Sequence, residues 1–329
     1  MAGLTAQQLA DFDRDGYLVV EDVLDESGLE AIRAEYAEIM ERESANLVAA
    51  GHLEPMTGKT FSERYTEALG QLDDMYLLYQ HLDISLPMLD TLEPSATMNA
   101  GPAVFALLTN PQLLDIAESV IGSEIYSNPV QHARIKPPRK CLPQAATDAN
   151  VAATLWHQDA AVIEPSGDDT DMLTVWLAIT DATVENGCLI AVPGSHRGDS
   201  TLHCPGKVFQ AEIYIPEAVL DMERVVPLEV KAGGTVLLHK MTEHGSLENN
   251  TEDIRWSFDL RYQPIGQPTG RDVFPGFIAR SAADPAAALT DAAEWAELWW
   301  KARDRIVTGQ VDMSFGGRWN HNADQLVCA

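Results

Sequence analysis

The residue pattern changes near Ile125, and this change limits the possible folds more than any other feature of the sequence. Before it, apolar residues recur at helical spacing. From about residue 125 to 265 the apolar runs become short, rich in Val, Ile, Thr and Trp, and bounded by Pro, Gly and Asn. Such runs are typical of antiparallel strands. We therefore expect a mainly β fold with flanking helices and a double-stranded β-helix (jelly roll) core.

Helical patterns lie on both sides of this core. "LTAQQLADFD" begins with Thr5 and Gln8 at capping-box spacing, and "NPQLLDIAESVIG" begins with a cap at Asn110. "ESGLEAIRAEYAEIM" and "AEWAELWWKARDRI" are amphipathic, and "LGQLDDMYLLYQHLDISL" is a further helix candidate. No repeat or linker divides the chain, so we predict one domain over 1–329. It comprises a helical part over about 1–124, the β core over about 125–265, and a helical tail over about 266–329.

Two strands of the predicted core have faces of different character. In "MLTVWLAIT", Thr174 and Trp176 lie opposite an aliphatic face. In "RWSFDLRYQ" the polar set alternates with a bulky apolar set; the polar set is Arg255, Ser257, Asp259 and Arg261, and the apolar set is Trp256, Phe258, Leu260 and Tyr262. If the polar set lines the interior, a buried arginine there needs an anion. A guanidinium matches a carboxylate in a bidentate manner.

Composition excludes some partners and predicts a compartment. The formal net charge of -28 repels phosphate backbones and anionic lipid heads, so we expect no nucleic-acid and no membrane partner. The start of the chain lacks the pattern of a secretory signal, and no run approaches the roughly 18 apolar residues of a membrane span. The four cysteines have no C-x-x-C spacing and indicate neither a disulfide framework nor a zinc knuckle. These features predict a reduced, soluble, cytoplasmic protein.

The stretch "LWHQD" places His157 and Asp159 two residues apart, and in a strand they would face the same side while Gln158 turns away. The pair alone is weak evidence for a metal site. A second histidine would complete the 2-His-1-carboxylate set of non-haem Fe(II) oxygenases, and both His239 and His244 are candidates. Arg255, eleven residues after His244, favours His244 and a bidentate oxo-acid cosubstrate such as 2-oxoglutarate.

H-x-D, "WLA", "NGCLIAVPGSH" and "HGSLENNTEDIR", in this order, resemble the phytanoyl-CoA dioxygenase family of Fe(II)/2-oxoglutarate-dependent oxygenases. The opening "LTAQQLADFDRDGYLVVEDVL" is also similar to the start of bacterial members. The resemblance covers roughly residues 4–40 and 125–265. It implies that His157, Asp159 and His244 bind iron, and that Arg255 pairs with the distal carboxylate of 2-oxoglutarate.

The resemblance also implies further cosubstrate contacts. Ser246 and Trp176 match positions that line the cosubstrate, although Trp176 has an equal claim to be a core residue. "QHARIKPP" matches the strand before the first ligands, so either Gln131 or His132 is expected to touch 2-oxoglutarate.

Other motif residues have more modest expected roles. Asn249 matches a family asparagine that we interpret as structural, and His196 is expected to fix a loop through a hydrogen bond. Lys240 departs from the apolar or small residue expected before the second histidine, and a substrate contact is the one role we can offer for it.

The family chemistry consumes O2 and 2-oxoglutarate, releases succinate and CO2, and oxidises a C–H bond of a small organic substrate. Hydroxylation is the default outcome; desaturation, cyclisation and epimerisation depend on substrate placement. Halogenating relatives carry a small residue in place of the carboxylate ligand, so Asp159 argues against halogenation. Two alternatives remain: a zinc-dependent hydrolase and a non-catalytic jelly-roll binding protein. The strongly acidic chain offers no obvious face for an acyl-CoA, which favours a natural product or an amino-acid-like substrate.

Overall fold

A computed structural model describes residues 3–88, 92–142, 152–206, 213–313 and 317–328. The α-helices within these ranges are α1 (Ala6–Asp15), α2 (Glu26–Ala49), α3 (Phe61–Gln71), α4 (Tyr76–Leu82), α5 (Pro102–Leu108), α6 (Pro111–Ile121) and α7 (Ala292–Val307). The strands are β1 (Tyr17–Val20), β2 (Glu124–Ser127), β3 (His132–Lys136), β4 (Leu173–Ala178), β5 (Leu189–Ala191), β6 (Cys204–Pro205), β7 (Ile213–Tyr214), β8 (Val226–Leu228), β9 (Thr235–His239), β10 (His244–Ser246), β11 (Arg255–Pro264) and β12 (Phe277–Ser281).

Two antiparallel sheets form the jelly-roll core, which confirms the predicted fold class. The larger sheet has the order β1-β9-β4-β11-β2-β12, with β3 also paired to β11, and the smaller has the order β10-β5-β8. Side chains of both sheets share one apolar cluster, which includes Trp176 and Val236 from the larger sheet and Leu189 and Leu228 from the smaller. The sheets therefore pack face to face, but over the described ranges they do not join into a closed barrel.

The helices cover the outer face of the larger sheet. The main apolar cluster contains buried residues of α2 and α6 together with Trp256, Phe258, Leu260 and Tyr262 of β11. The helix ends follow the predicted signals: Thr5 and Gln8 form a reciprocal capping box on α1, and Asn110 caps α6. Burial of this outer face fixes which face of β11 turns inward.

Two sequence predictions about the elements need correction. The β core extends beyond 125–265, because β1 pairs with β9 and β12 pairs with β2 at the two edges of the larger sheet. The candidate helix "LGQLDDMYLLYQHLDISL" is interrupted: α3 ends at Gln71 and α4 begins at Tyr76, whose backbone N–H donates to the Asp74 side chain. The side chain of Asp74 thus accepts from the Tyr76 amide, which in an uninterrupted helix would donate to a backbone carbonyl of the preceding turn.

The expectation of unpaired cysteines is wrong for one pair. Cys204 and Cys328 form a disulfide bond across 124 residues of sequence, while Cys141 and Cys188 are free thiols. A contact between such distant residues depends on tertiary structure, so local cysteine spacing carries no signal for it.

The stretch Pro102–Ile121 is long and apolar enough to span a membrane by length and composition alone, with a mean hydropathy of 1.2. In the structure it comprises two helices, α5 and α6, which Asn110 separates. Val104, Leu108 and Leu113 from this stretch are fully buried in the main apolar cluster, which is the arrangement of core helices.

Candidate metal centre

His157, Asp159 and His244 lie together between the two sheets. One potential ligand atom from each residue falls within 4.8 Å of the others. The Nε2 atom of His157 is 3.7 Å from Asp159 Oδ1, and the Nε2 atom of His244 is 3.9 Å from Asp159 Oδ2. An antiparallel bridge between His157 and His244 brings the two histidines next to each other, with ring centroids 4.3 Å apart and the rings tilted by 50°.

The local structure of "LWHQD" differs from the strand that the sequence predicted. His157 makes only the isolated bridge, and Asp159 is the first residue of a short 3-10 helix, Asp159–Ala161. The side chain of Gln158 is fully buried, donates to the Met241 carbonyl and accepts from the Thr201 amide. The two ligands converge because a turn follows the bridge, and strand alternation does not produce their arrangement.

Backbone contacts fix the orientation of both histidines. The Nδ1 atom of His157 lies 2.8 Å from the Leu155 carbonyl oxygen, and that of His244 lies 2.9 Å from the Thr242 carbonyl oxygen. A carbonyl accepts only, so each Nδ1 carries the proton and each Nε2 keeps its lone pair for a metal. Burial, and then the neighbouring His157, lower the pKa of His244 to about 4, so this ring is neutral near pH 7.

Asp159 is fully buried and held by two donors. Thr174 Oγ1 donates to Oδ2 at 2.5 Å, and the guanidinium of Arg261 pairs with Oδ1. Burial alone would raise the pKa of Asp159, but Arg261 and the two histidines outweigh it and hold the pKa well below its usual range. The site therefore presents an ionised carboxylate beside two imidazole lone pairs.

The other candidate histidine, His239, lies at the end of β9 and outside this group. Its Nδ1 accepts from the Met241 amide, and its ring packs against His196 at 5.1 Å. His196 contacts the Asp13 carbonyl through Nε2, as expected for a residue that fixes a loop. The geometry thus selects His244 between the two alternatives that the sequence offered.

A buried cationic pocket adjoins the triad on the inner face of the larger sheet. Arg255 is 1% exposed, donates to Ser257 Oγ and the Gly187 carbonyl, and stacks over Trp176 with its Cζ 5.1 Å from the ring centroid. Lys136 is the direct cross-strand partner of Arg255, and its Nζ donates to Ser246 Oγ at 2.7 Å. Over the described ranges, no carboxylate forms an ion pair with either cation.

The charged forms of Arg255 and Lys136 are disfavoured, as the pKa values of both side chains show. Burial lowers the pKa of Arg255 to about 10. Burial, followed by repulsion from Arg255, lowers the pKa of Lys136 well below its usual value. Sequence reasoning did not single out Lys136. Its signal was its place in "QHARIKPP", where a lysine follows alternating strand residues and so shares a face with His132.

The two remaining predicted cosubstrate residues contact a different segment. Gln131 is 2% exposed and donates to the Ile84 carbonyl, while His132 Nδ1 lies 2.9 Å from Asp83 Oδ2. His132 pairs with Asp259 across the sheet and so lies on the same inner face as Lys136. Their contact with a cosubstrate stays a prediction.

Two motif residues have structural roles. Asn249 donates to the carbonyls of Lys136 and Asp253, which agrees with the interpretation of a structural asparagine. Lys240 donates to the backbone carbonyls of Asp168 and Thr170 at 2.6 and 2.7 Å, so its ammonium fastens a loop and the expected substrate contact is not supported.

The donor set fits a divalent iron ion. Two imidazole nitrogens and one carboxylate on neighbouring segments form the facial set that leaves coordination positions open for other ligands. The cationic pocket of Arg255 and Lys136 fits the carboxylate of an organic anion. Together these groups can hold a metal and a bidentate acid side by side.

Comparisons with known proteins show what the chain is similar to. A sequence profile of the family described as phytanoyl-CoA dioxygenase (PhyH) matches residues 12–257. "Phytanoyl-CoA dioxygenase 1" of Oryza sativa subsp. japonica is 29% identical over 163 residues, 42% of this chain and 58% of that protein. "Phytanoyl-CoA dioxygenase domain-containing protein 1" of Danio rerio is 37% identical over 105 residues, 30% of this chain and 35% of that protein. The Bos taurus protein of the same name is 26% identical over 285 residues, 78% of this chain and 89% of that protein.

Solved structures show the same fold at low sequence identity. The epimerase SnoN, in complex with Fe3+, alpha ketoglutarate and nogalamycin RO, is 23% identical with a TM-score of 0.51, over 80% of this chain and 86% of that chain. EvdO2 from Micromonospora carbonacea var. aurantiaca, complexed with 2-oxoglutarate, is 21% identical with a TM-score of 0.51, over 80% and 93%. The non-heme monooxygenase ThoJ is 18% identical with a TM-score of 0.53, over 91% and 98%.

Proposed function

Because the chain belongs to the phytanoyl-CoA dioxygenase family, we propose that it is an Fe(II)/2-oxoglutarate-dependent dioxygenase. One observation carries the proposal: a His157–Asp159–His244 cluster, in which Asp159 and His244 are buried, lies in the same interior as two buried basic side chains that have no carboxylate partner among the described residues. Either feature alone is compatible with a structural role. Their combination matches a metal that binds an organic acid.

The residues of the chain divide the work of holding iron and cosubstrate. His157, Asp159 and His244 would hold the metal through Nε2, a carboxylate oxygen and Nε2. Arg255 would receive the distal carboxylate of 2-oxoglutarate, with Lys136 and Ser246 beside it and Trp176 under the guanidinium. Iron with 2-oxoglutarate supplies the oxidation by O2 of a substrate carbon, coupled to release of succinate and CO2.

The protein environment keeps this centre in its reactive charge state. Thr174 and Arg261 hold Asp159 ionised, and burial keeps His244 neutral, so both bind a cation without first losing a proton. Ser257 and Trp176 fix the Arg255 guanidinium before the cosubstrate arrives, which reduces the entropy lost on binding.

The substrate is proposed only by class. The strongly acidic chain offers no obvious face for an acyl-CoA, which favours a small organic molecule such as a natural product or an amino-acid-like compound, and hydroxylation is the proposed outcome. Two basic residues have other partners: Arg280 pairs with Asp115 and Glu118, and Lys240 binds backbone carbonyls. Neither is therefore offered as a substrate contact.

The absence of nucleic-acid and membrane partners, the single-domain organisation and the cytoplasmic location stay predictions. Disulfide bonds are rare in the cytosol. The redox state of Cys204 and Cys328 in freshly lysed cells, trapped by thiol alkylation and read by mass spectrometry, therefore tests the location.

One assay tests the proposed function. The purified protein is mixed anaerobically with Fe(II) and 2-oxoglutarate, the visible charge-transfer band is recorded, and succinate is measured after oxygen is admitted. We expect both signals in the wild-type protein and in His239→Ala, and neither in His244→Ala. His239 is the matched control, because it is a partly buried histidine on a neighbouring strand outside the cluster. Zinc-dependent hydrolysis without band or succinate would overturn the proposal.

A further inference from the structure

A segment outside the region matched by the family profile packs against the metal-ligand turn. Residues 317–328, which we call the clamp, form two short 3-10 helices, Gly317–Asn322 and Leu326–Cys328. Arg318 Nη1 donates to the carbonyls of Ala160 and Ile163 at 3.2 and 2.9 Å. Trp319 Nε1 donates to the Ala161 carbonyl at 2.9 Å.

These contacts provide hydrogen-bond donors for backbone carbonyls that have no partner within the turn itself. The amides of Ala161 and Val162 donate back to Gln158 and Asp159, and the Ala160 amide donates to Lys240. A 3-10 helix of three residues leaves its last carbonyls without internal partners. The clamp supplies the donors for those carbonyls, directly after the ligand Asp159.

Arg318 is itself anchored. Its guanidinium also pairs with Asp168, with Nη1 2.7 Å from Oδ1 and Nη2 2.9 Å from Oδ2. The side chain of Arg318 is 17% exposed, so this fork is partly shielded from water. A two-pronged pair of this kind fixes the plane of the guanidinium as well as its position.

The clamp also reaches the other side of the ligand segment through His203. The Gln158 amide donates to His203 Nε2 at 3.1 Å, the His203 ring packs against Trp319 at 4.9 Å, and Asn322 donates to the His203 carbonyl. The residue after His203 is Cys204, which is bonded to Cys328 at the far end of the clamp. Contacts of the clamp, directly or through His203, thus flank Asp159 on both sides, at Gln158 and at Ala160.

We propose that residues 317–328 position the metal centre, with Arg318 and Trp319 as positioning residues for the Asp159 turn and the Cys204–Cys328 disulfide as the covalent lock. The role of the clamp at a metal rests on the proposed function. Its effect on the turn itself does not, because the contacts are hydrogen bonds between groups of the protein alone.

Arg318→Ala tests the proposal with two readouts. The first is hydrogen exchange of the Ala161 and Val162 amides in the metal-free protein, which we expect to become faster. The second is Co(II) affinity by calorimetry, which we expect to fall about 10–100-fold, as for other groups that orient metal ligands. Arg305→Ala is the matched control, because Arg305 is an exposed arginine of α7 for which no side-chain contact is described.

Trp319→Phe keeps the aromatic ring and removes the single N–H donor, so it should show the same two changes at smaller size. If Arg318→Ala accelerates exchange throughout β4 and β11, that variant has unfolded generally. Trp319→Phe is then the variant that tests the positioning role. Wild-type exchange and wild-type Co(II) affinity in Trp319→Phe would then overturn the positioning role.

The two proposals fail in different ways. If the wild-type protein binds no Co(II) but Arg318→Ala still accelerates exchange in the turn, the proposed function is wrong and the clamp is supported. If the wild-type protein binds Co(II) and Arg318→Ala matches it in both readouts, the clamp is wrong and the proposed function stands.

Reduction tests the lock. Dithiothreitol donates two electrons and two protons to the disulfide, giving two thiols and the cyclic oxidised reagent. Exchange at Ala161 and Val162 should then rise, and Cys328→Ser should behave the same without reductant. Detection of Cys204 and Cys328 as free thiols in the purified, unreduced protein would overturn this part of the proposal.

Discussion

The two faces of β11 differ in composition and in what they contact. Trp256, Phe258, Leu260 and Tyr262 point outward into the main apolar cluster, where each is at most 3% exposed. Arg255, Ser257, Asp259 and Arg261 point inward, where Arg255 faces the cationic pocket and Arg261 pairs with Asp159. The outer face removes apolar area from water, which stabilises a fold by about 25 cal/mol per Å².

The inner face includes one buried charge, that of Arg255, which works against stability. Burying a charged group costs free energy unless a partner compensates it, and Arg255 has only neutral hydrogen-bond acceptors among the described residues. The strand therefore separates two roles by its two-residue period: the outer face holds the protein together, and the inner face keeps charged groups ready for ligands. Substitutions on the two faces should have different consequences.

The largest effect is expected on the outer face. Phe258→Ala leaves a cavity next to Tyr36 and Trp256, whose rings contact Phe258, and should lower the free energy of unfolding by about 3–5 kcal/mol. Denaturant titration measures this loss. Phe258→Leu keeps most of the volume and should lose less. The Co(II) affinity of the folded fraction should remain that of the wild type. A loss of Co(II) binding free energy larger than the loss of unfolding free energy would contradict the separation of roles between the two faces.

An inner-face substitution should show the reverse pattern. Arg255→Met keeps the length of the side chain and removes the guanidinium, so 2-oxoglutarate binding should weaken by about 2–5 kcal/mol. Stability should be unchanged or higher, because a buried charge without an ionic partner is removed. Calorimetry and thermal unfolding provide the two measurements. Arg255→Lys, which keeps a charge but not the fork, is the matched comparison. A clear loss of stability in Arg255→Met would contradict the division of roles between the two faces of β11.

A smaller effect is expected at the partner of the carboxylate ligand. Thr174→Val removes the hydroxyl that donates to Asp159 while keeping the shape of the side chain, and should lower Co(II) affinity about 10–100-fold. Thr174→Ser keeps the hydroxyl and should retain most of the affinity. Equal losses in both variants would show that packing of the methyl group, and not the hydrogen bond, is what matters at this position.

The alternation on β11 could be predicted because it depends on a local rule, the strand period, and on strong chemical contrast between neighbours. The same holds for the caps at Thr5 and Asn110, which act within one helical turn. Local signals also separated the two faces of β4 and placed Thr174 opposite the aliphatic face.

The ligand turn was mispredicted because its conformation depends on distant groups. The Ala160 amide is bonded to Lys240, and the carbonyls after Asp159 are bonded to Arg318 and Trp319. None of these partners lies within 70 residues of the turn in the sequence. The disulfide and the pairing of β12 with β2 were missed for the same reason, since both join segments that only the folded chain brings together.

Lys136 gives the smallest predicted effect and a test of the charge on the inner face. Burial, and then Arg255, lower the pKa of Lys136 in the ligand-free protein. A bound carboxylate favours the ammonium form and raises this pKa, so binding of 2-oxoglutarate should take up a proton at pH values between the free and bound pKa. The sign follows from linkage: affinity falls as the pH rises between the free and bound pKa values, by at most about tenfold per pH unit.

Calorimetry of 2-oxoglutarate binding in two buffers of different ionisation enthalpy measures the proton uptake directly. Lys136→Met should bind 2-oxoglutarate more weakly and lose the pH dependence of binding. Arg139→Ala changes an exposed cation on the surface beyond β3, and it should keep the wild-type affinity and its pH dependence. Proton release, or the same uptake in Lys136→Met, would mean that the cosubstrate carboxylate does not meet Lys136. The cationic pocket would then consist of Arg255 alone, and the inner face would carry less charge for its ligand than the arrangement of side chains indicates.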